Sequence, residues 1–596
     1  MTGNGNDKGL SRRGFLQNTA LAGAAAGVAS LTLTHMTACD DEPVDASKVK
    51  WDERFEVVVV GAGGAGLTAA VAAKEAGVGS VVVLEKAAVV GGSTSLSGGV
   101  VQAAGTSFQI AGGTLGDTPT KHAQYWMQAG EGISDQALVE LLANKAPGAI
   151  DWMVAHGLTY VSVYGVDPIP TVDPALMVPR IHVPSGGGPN PAPGTGAVHV
   201  AALSDAATAA GVTVRTEVDV KALVVDKDEG VVGVKVLVGA ATKYIRARRA
   251  VVLASGGFDR NKEMARHFSP QQLWELETGV CYCAPNNLGD GIRYGMAIGA
   301  DLAALGGTIG VPAVTMGCVP FVAGSPAVPG IWVNKYGMRF VNEQAHYAYK
   351  MRAVFAQEGH VAWAIFDESV KALGGTVLGG LWGAWSADLS EEIASGKVKT
   401  GASLKELAAR IGVNEDQLGA TVAQWNDAMA DPPTDPVFGR TIALSSLVTA
   451  PYYATQVTSV NLGSCGGLRI DTSARVIDTL GQPIPRLYAA GMVAGGFIGP
   501  YYPGSGTAVM STIVFGRIAG EAAAERSWPD RAAAPRVERP RRPPPPARGD
   551  RARRGVGRGD AACQRTRFTW TRGRALSGVP SHSRRPVAHA ERSRGE

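Results

Sequence analysis

One stretch, residues 55–86, limits the possible folds more than any other part of the chain. It reads FEVVVVGAGGAGLTAAVAAKEAGVGSVVVLEK. A continuous apolar run, typical of a buried parallel strand, leads into an Ala-rich helical segment. Between them, Gly61, Gly63 and Gly66 form a GxGxxG motif. The first glycine permits a tight turn, the second lets a pyrophosphate approach the backbone, and the third lets helix and strand pack closely.

A second apolar run occupies residues 81–84 and ends at Glu85. This is the expected separation for a carboxylate that binds ribose hydroxyls. The GxGxxG motif alone is a weak signal, whereas the order strand, glycines, helix, strand and Glu is specific. The sequence therefore predicts a dinucleotide-binding βαβ unit in an α/β protein.

The charge of the chain is unevenly distributed along its 596 residues, a length that suits two or three domains. Residues 526–596 contain 19 Arg, no Lys and 6 acidic residues, a net +13, whereas the whole chain carries +4. The remainder is therefore acidic, at −9, and its charge does not predict nucleic-acid binding. We expect the Arg/Pro-rich tail to be disordered, because it has too few apolar residues to offset the entropy of ordering.

The N-terminal residues 1–39 have the pattern of an export signal. SRRGFLQ, with Arg12 and Arg13, precedes a short stretch of small apolar residues and resembles a twin-arginine signal. This predicts a periplasmic or other extracytoplasmic location and the twin-arginine translocase as a partner. MTAC resembles a lipoprotein box with Met36 where Leu is usual, so Cys39 is a candidate lipid anchor. Residues 40–54 are expected to form a linker.

The six cysteines show neither CxxC spacing nor a CxxCH haem signature. We therefore predict no metal site, haem or iron–sulfur cluster in this chain. Any electron partner is expected to be a separate molecule.

The segment after Glu85 carries a resemblance to a known family. EKAAVVGGSTSLSGG is followed, in chain order, by TEVDVKALVVDKDEGVVGV, RAVVLASGGF, NLGDGIRYGMAIGA, GIWVNKYGMRFVNE and LRIDTSARVIDTLGQPIPRLYAAG. Together these stretches resemble the FAD-dependent fumarate reductase and 3-ketosteroid dehydrogenase flavoprotein superfamily, over about residues 55–525. In members that attach FAD covalently, a His lies in the loop that corresponds to residues 92–98. No His is present there, so the resemblance implies noncovalent FAD.

The resemblance also implies an architecture and a set of cofactor-binding positions. A two-segment Rossmann-like FAD-binding domain (residues 55–305 and 447–525) would carry an inserted α+β capping domain (residues 306–446), with substrate bound between them. The helix that starts near residue 507 would point its positive end at the flavin. The implied cofactor-binding residues are Gly61, Ala62, Gly63, Gly64, Ala65, Gly66, Glu85, Lys86, Gly92, Ser93, Thr94, Ser97, Gly98, Gly99, Val220, Ala254, Ser255, Gly256, Asp290, Gly491, Gly506, Thr507, Ala508 and Val509.

The reactive positions of the superfamily separate its branches. Fumarate reductases carry G-x-N-R-x-G-G-N-A in the last flavin loop. They also carry an Arg that acts as the proton donor, five residues after the Asn of RFVNE. This chain has GPYYPGSGTA in that loop and Tyr347 at the second position. A family His before T-M-G-G is absent as well, since the stretch reads NLGSCGG. The anion-binding groups for a dicarboxylate are therefore missing.

The same positions resemble 3-ketosteroid Δ1-dehydrogenases, which have NE-x-x-x-Y and Y-x-G-x-G. The resemblance implies that Tyr502 O–H and Gly506 N–H polarise a ketone while Tyr347 removes the adjacent proton. A free phenol titrates near ~10, so this base needs a neighbour that lowers its pKa. Tyr160 and Tyr164 are both candidates for that neighbour.

The resulting prediction is an exported FAD-dependent oxidoreductase that acts on a C–C bond next to a carbonyl. Its substrate is expected to be an uncharged small molecule, steroid-like or otherwise cyclic, and its electrons to pass to a quinone or cytochrome. A related Y-x-S-G-T loop occurs in dehydrogenases that act elsewhere in the steroid A ring, so the regiochemistry is open. Two alternatives remain at this point. One is an extracytoplasmic reductase of an enone or α,β-unsaturated acid, and the other is a non-catalytic flavin electron-transfer subunit.

Overall fold

The computed structural model describes residues 42–165, 167–186, 195–314, 317–318, 329–374 and 385–525. The predicted export signal, Cys39 and the Arg/Pro-rich tail lie outside these residues. The described residues belong to one structural unit, Met1–Pro529. Within them, no helix is both long and apolar enough to cross a membrane.

The largest sheet has nine strands and carries the predicted βαβ unit. Seven of its strands are hydrogen-bonded in the order Val44–Asp45, Val218–Asp226, Gly230–Val238, Ala241–Leu253, Glu53–Val60, Val81–Leu84 and Thr213–Arg215. The other two are Pro483–Ala489, which pairs with Ala241–Leu253, and Arg475–Ile477, which pairs with Pro483–Ala489. The five strands nearest the GxGxxG motif are parallel. The sheet therefore combines strands from two distant parts of the chain, as the two-segment Rossmann-like α/β fold requires.

Two helices pack against each other beside this sheet. The helix Gly64–Glu75 is buried over most of its length and packs against the C-terminal helix Thr507–Glu525. A side chain at Gly516 would lie 2.8 Å from Thr68 Cβ, and one at Gly520 would lie 2.3 Å from the Ala69 carbonyl oxygen. The two glycines, one turn apart, allow the backbones to approach closely.

The capping domain contains a four-stranded antiparallel sheet and a helical lobe. Its strands are ordered Ile331–Asn334, Ala362–Asp367, Tyr452–Gln456 and Val398–Gly401. The cap extends beyond residue 446, its expected end, because strand Tyr452–Gln456 pairs with two cap strands. Residues 40–54 also differ from the expected linker, since Val44–Asp45 pairs with the large sheet.

Three smaller sheets contain the remaining strands of the described residues. Their strands are Val280–Cys281, Thr458–Ser464, Thr308–Val314 and Gly317–Cys318 in the first, Leu302–Ala303, Gly467–Arg469 and Ala494–Gly495 in the second, and Val101–Gln102, Ile181–Pro184 and Tyr160–Tyr164 in the third. The remaining α-helices are Gly92–Leu96, Ser107–Ala111, Pro119–Ala129, Gln136–Ala155, Ala197–Ala209, Lys262–Phe268, Pro270–Thr278, Asp290–Ala297, Tyr347–Phe355, Glu368–Lys371, Ser390–Ala394, Leu404–Ile411 and Glu415–Ala428.

Candidate active site

A cleft opens at the carboxyl ends of the parallel strands. Most of the predicted cofactor-binding residues line it, namely Gly61, Gly63, Gly64, Ala65, Glu85, Lys86, Gly92, Ser93, Thr94, Ser97, Val220, Ala254, Ser255, Gly256, Asp290, Gly491, Ala508 and Val509. The predicted residues that do not line it are Ala62, Gly66, Gly98, Gly99, Gly506 and Thr507. Gly66 instead packs the helix on the strand, since a Cβ there would lie 1.9 Å from the Gly61 carbonyl oxygen.

The backbone around the GxGxxG motif has the shape of a phosphate cradle. Gly61 has φ +103°, and a Cβ there would lie 2.5 Å from the Ala254 carbonyl oxygen. Gly63 is different, because its φ of −79° suits any residue and the nearest atom to a Cβ would be 3.8 Å away. None of the described residues would clash with a side chain at Gly63, so the space is one that a dinucleotide pyrophosphate fits.

The carboxylate of Glu85 is held in a fixed orientation at the edge of this cleft. Ala62 N–H donates to one carboxylate oxygen and Ala87 N–H to the other, each at 2.8 Å. A carboxylate oxygen accepts more than one hydrogen bond, so both oxygens retain capacity for ribose hydroxyls. The residues present therefore fit FAD at its nucleotide end.

Tyr347 and Tyr502, the candidate reactive residues, are 155 positions apart in the chain and lie close together in the structure. Tyr347 is the first residue of helix Tyr347–Phe355, and Tyr502 lies in the loop before helix Thr507–Glu525. Both are buried, and their ring centroids are 6.3 Å apart. Ser505 Oγ donates to the Tyr347 hydroxyl at 3.2 Å, and Ala508 N–H donates to the Tyr502 hydroxyl at 3.3 Å.

Burial controls the ionisation of both phenols. It raises the pKa of Tyr347 well above that of a free phenol, and the hydrogen bond from Ser505 lowers it only in part. Burial also raises the pKa of Tyr502, against the lowering effect of the Ala508 amide. Both hydroxyls therefore carry their protons at neutral pH, and each can donate a hydrogen bond.

The two candidate neighbours of Tyr347 make different contacts. Tyr160 packs against Phe108, with ring centroids 5.5 Å apart, and against His182 at 5.9 Å. Tyr164 interacts electrostatically with Tyr347, but its effect raises the pKa of Tyr347 rather than lowering it. Among the described residues, the Ser505 hydroxyl is the group that lowers this pKa.

The loop of residues 501–506, the candidate reactive loop, is held by side chains that the sequence patterns did not predict. Gln102 Nε2 donates to the Ser505 carbonyl oxygen at 2.9 Å, and the Tyr125 hydroxyl donates to the Pro503 carbonyl oxygen at 2.6 Å. Because the amide of Gln102 uses its nitrogen as donor, its oxygen accepts from His122 Nε2 at 3.1 Å. The two bonds to the loop backbone join residues about 400 positions apart, so no local motif predicts them.

A buried ion pair supports the same region. Arg180 donates from Nε and Nη2 to the two carboxylate oxygens of Asp117, at 2.8 and 2.7 Å. Its guanidinium carbon lies 5.3 Å from the centre of the Tyr125 ring. The pair therefore packs directly against a side chain that holds the reactive loop.

Tyr501 is oriented differently from its neighbour Tyr502. The guanidinium carbon of Arg352 lies 3.7 Å from the centre of the Tyr501 ring. Arg352 also donates to Glu131 at 2.8 Å. Tyr501 is therefore part of a cation–π and ion-pair stack, as expected of a packing residue.

The comparisons with known proteins find similar flavoprotein oxidoreductases. The chain is 34% identical over 483 residues to the fumarate reductase (cytochrome) of Shewanella frigidimarina, covering 80% of this chain and 78% of the relative. It is 30% identical to the urocanate reductase of Eggerthella lenta, covering 84% and 82%. Among solved structures, the 3-ketosteroid-Δ4-(5α)-dehydrogenase of Rhodococcus jostii RHA1, in complex with 4-androstene-3,17-dione, matches with a TM-score of 0.70 at 26% identity, covering 81% of this chain and all of that one.

The profile of one protein family matches residues 56–509, which is most of the chain and both segments of the large sheet. Its description is FAD binding domain. The chain belongs to this family, and it is an FAD-dependent oxidoreductase that acts on CH–CH groups.

Proposed function

We propose that this oxidoreductase acts on the C–C bond next to the carbonyl of an uncharged, cyclic ketone. The observation that supports the proposal is the pair of buried tyrosines, Tyr347 and Tyr502, whose ring centroids are 6.3 Å apart. Two phenols can bind and exchange protons with a neutral carbonyl compound, whereas a dicarboxylate needs cationic partners. The pair therefore suits a neutral ketone better than a dicarboxylate such as fumarate.

The residues have distinct tasks in this proposal. Tyr502 O–H and the backbone N–H of Gly506 donate to the ketone oxygen, which lowers the energy of the enolate that forms. The Tyr347 hydroxyl takes up or returns the proton on the carbon next to the carbonyl, and Ser505, 3.2 Å away, relays that proton. When bound, FAD supplies the acceptor or donor of the hydride on the adjoining carbon.

The ionisation of Tyr347 favours a second candidate, the reverse reaction. Burial raises the pKa of Tyr347, so the hydroxyl is a proton donor in the free enzyme. A donor at this position suits reduction of an enone, in which the carbon next to the carbonyl gains a proton. Dehydrogenation requires the same hydroxyl first to pass its proton through Ser505 to water. The non-catalytic alternative is not retained, because the chain is an oxidoreductase.

The proposal also includes the cellular context, which rests on the sequence alone. Export by the twin-arginine route, a lipid anchor at Cys39, and a quinone or cytochrome as electron carrier stay predictions. The physical basis for export is the Arg12–Arg13 pair before a weakly apolar stretch.

Anaerobic stopped-flow spectroscopy of the FAD-loaded protein tests both candidates. Bleaching of the oxidised flavin by saturated cyclic ketones or 3-ketosteroids supports the dehydrogenase. Reoxidation of dithionite-reduced protein by enones, and not by fumarate, supports the reductase. Rapid reoxidation by fumarate or another α,β-unsaturated acid, with no response to any ketone or enone, would contradict the proposal.

A further inference from the structure

His346 is a buried polar residue next to the tyrosine pair that the proposed chemistry does not use. It is only 2% exposed and directly precedes helix Tyr347–Phe355. Its Nδ1 accepts a hydrogen bond from the backbone N–H of Ala348 at 3.3 Å and so caps the helix. Its own backbone N–H donates to the Pro168 carbonyl oxygen at 2.8 Å, which fixes the position of the residue.

The capping bond determines where the ring carries its proton. Burial, with a smaller contribution from Lys350, lowers the pKa of His346 to about 3, so the ring is neutral at physiological pH. Because Nδ1 is the acceptor, the single ring proton is on Nε2. That Nε2–H is buried and has no hydrogen-bond partner among the residues that the structure describes. A buried donor without an acceptor is destabilising, and native proteins rarely keep one without a reason.

The unpaired N–H belongs to the same group of rings as the candidate reactive residues. The His346 ring centroid is 3.9 Å from that of Tyr347 and 6.3 Å from that of Tyr502. The His346 and Tyr347 rings are tilted by 40°. The unpaired Nε2–H therefore lies within the cluster of rings that the proposed chemistry uses.

We propose that His346 Nε2–H binds a second, uncharged oxygen of the substrate. The inference rests on the proposed function, in which Tyr502 O–H and Gly506 N–H already occupy the two lone pairs of the ketone oxygen. A further donor beside them therefore serves a different acceptor. A neutral N–H suits a carbonyl or hydroxyl oxygen better than a carboxylate, whose charge it would leave without a counterion. The substrate class is narrowed to cyclic ketones or enones that carry a second oxygen function.

Matched ligand pairs test this inference on the FAD-loaded protein. One pair is 1,4-cyclohexanedione and cyclohexanone, and the other is 5α-androstane-3,17-dione and 5α-androstan-3-one. The members of each pair differ by one oxygen. For each ligand, the KM and kcat of flavin reduction and the Kd from the perturbed flavin spectrum are measured in wild type, His346→Asn and His346→Phe. Asn keeps an oxygen that can cap the helix but lacks the ring N–H, whereas Phe keeps a ring and loses both nitrogens.

We expect wild type to prefer the two-oxygen member of at least one pair by roughly tenfold in KM and Kd, the typical effect of one good hydrogen bond. Both variants should lose that preference, with the change in KM and not in kcat. Equal binding of both members by wild type would overturn the inference. So would a His346→Asn protein that keeps the preference, because the residue would then act only as a helix cap. If no ketone or enone reacts with wild type, the proposed function fails and this inference falls with it.

Discussion

Replacing the two reactive hydroxyls singly and together measures whether they act in one step. Tyr502→Phe removes the donor to the ketone oxygen, and loss of one such donor costs roughly 10²–10³ in rate. Tyr347→Phe removes the proton-transfer group, which costs roughly 10²–10⁴. The rings lie 6.3 Å apart, and in the proposed function both hydroxyls contact one substrate. The double variant should therefore lose far less than the product of the single losses.

The stability of these variants can be worked from the same contacts. Tyr502→Phe leaves the Ala508 N–H without its 3.3 Å acceptor, a loss of about 0.5–1.5 kcal/mol. Tyr347→Phe leaves Ser505 Oγ without its 3.2 Å partner, with a similar or smaller cost. The volume of each side chain barely changes, so both proteins should fold and bind FAD.

Single-turnover flavin reduction by a saturated ketone is the assay, with FAD content and thermal unfolding recorded on every sample. Tyr501→Phe is the matched control, because Tyr501 stacks on Arg352 and contributes no hydroxyl to the proposed chemistry. The reasoning is refuted if both single variants react at near wild-type rate. It is also refuted if their losses multiply in the double variant, because the hydroxyls would then act independently.

Three further predictions concern other parts of the chain. Gly63→Val should fold but purify with little FAD, since its side chain would fill the phosphate cradle; full flavin content would argue against that cradle. Asp117→Asn should lower the free energy of unfolding by about 3–5 kcal/mol by leaving Arg180 unpaired. Burial alone would raise the pKa of the Asp117 carboxyl, but its hydrogen bonds, above all those from Arg180, lower this pKa on balance. The stabilisation is therefore present above the pKa of Asp117 in the unfolded chain and is lost as pH falls through its folded pKa. Acid unfolding with identical pH dependence in wild type and variant would contradict this. Replacing Arg12 and Arg13 by Lys should retain precursor in the cytoplasm, and unchanged cell fractionation would disprove twin-arginine export.

The nucleotide end of the site was predictable because its signal is local. The strand, the glycines, the helix and Glu85 follow one another within about thirty residues, and the spacing itself has a physical meaning. Tyr347 and Tyr502 are predictable as a pair only through resemblance at two short motifs, NE-x-x-x-Y and Y-x-G-x-G. Their positions in the chain alone do not predict that they lie close together.

The support of the reactive loop was not predictable, for a different reason. Gln102 and Tyr125 donate to backbone oxygens of Ser505 and Pro503, and His122 donates to Gln102. Such bonds depend on how distant segments pack. The expected neighbour that lowers the pKa of Tyr347 was an inference from chemistry and not from pattern. The structure supplies the Ser505 hydroxyl instead, and it could have been suspected from the Ser in YPGSGT.

The pairing of helix Gly64–Glu75 with helix Thr507–Glu525 has a consequence for how the protein is made. The first helix leaves the ribosome early, but the surface that covers it, including Gly516 and Gly520, is translated more than 400 residues later. Strand Pro483–Ala489 of the large sheet is late as well. The nucleotide-binding unit therefore cannot be completed until residues 483–525 have been translated, and its Ala-rich helix stays without its cover for most of synthesis.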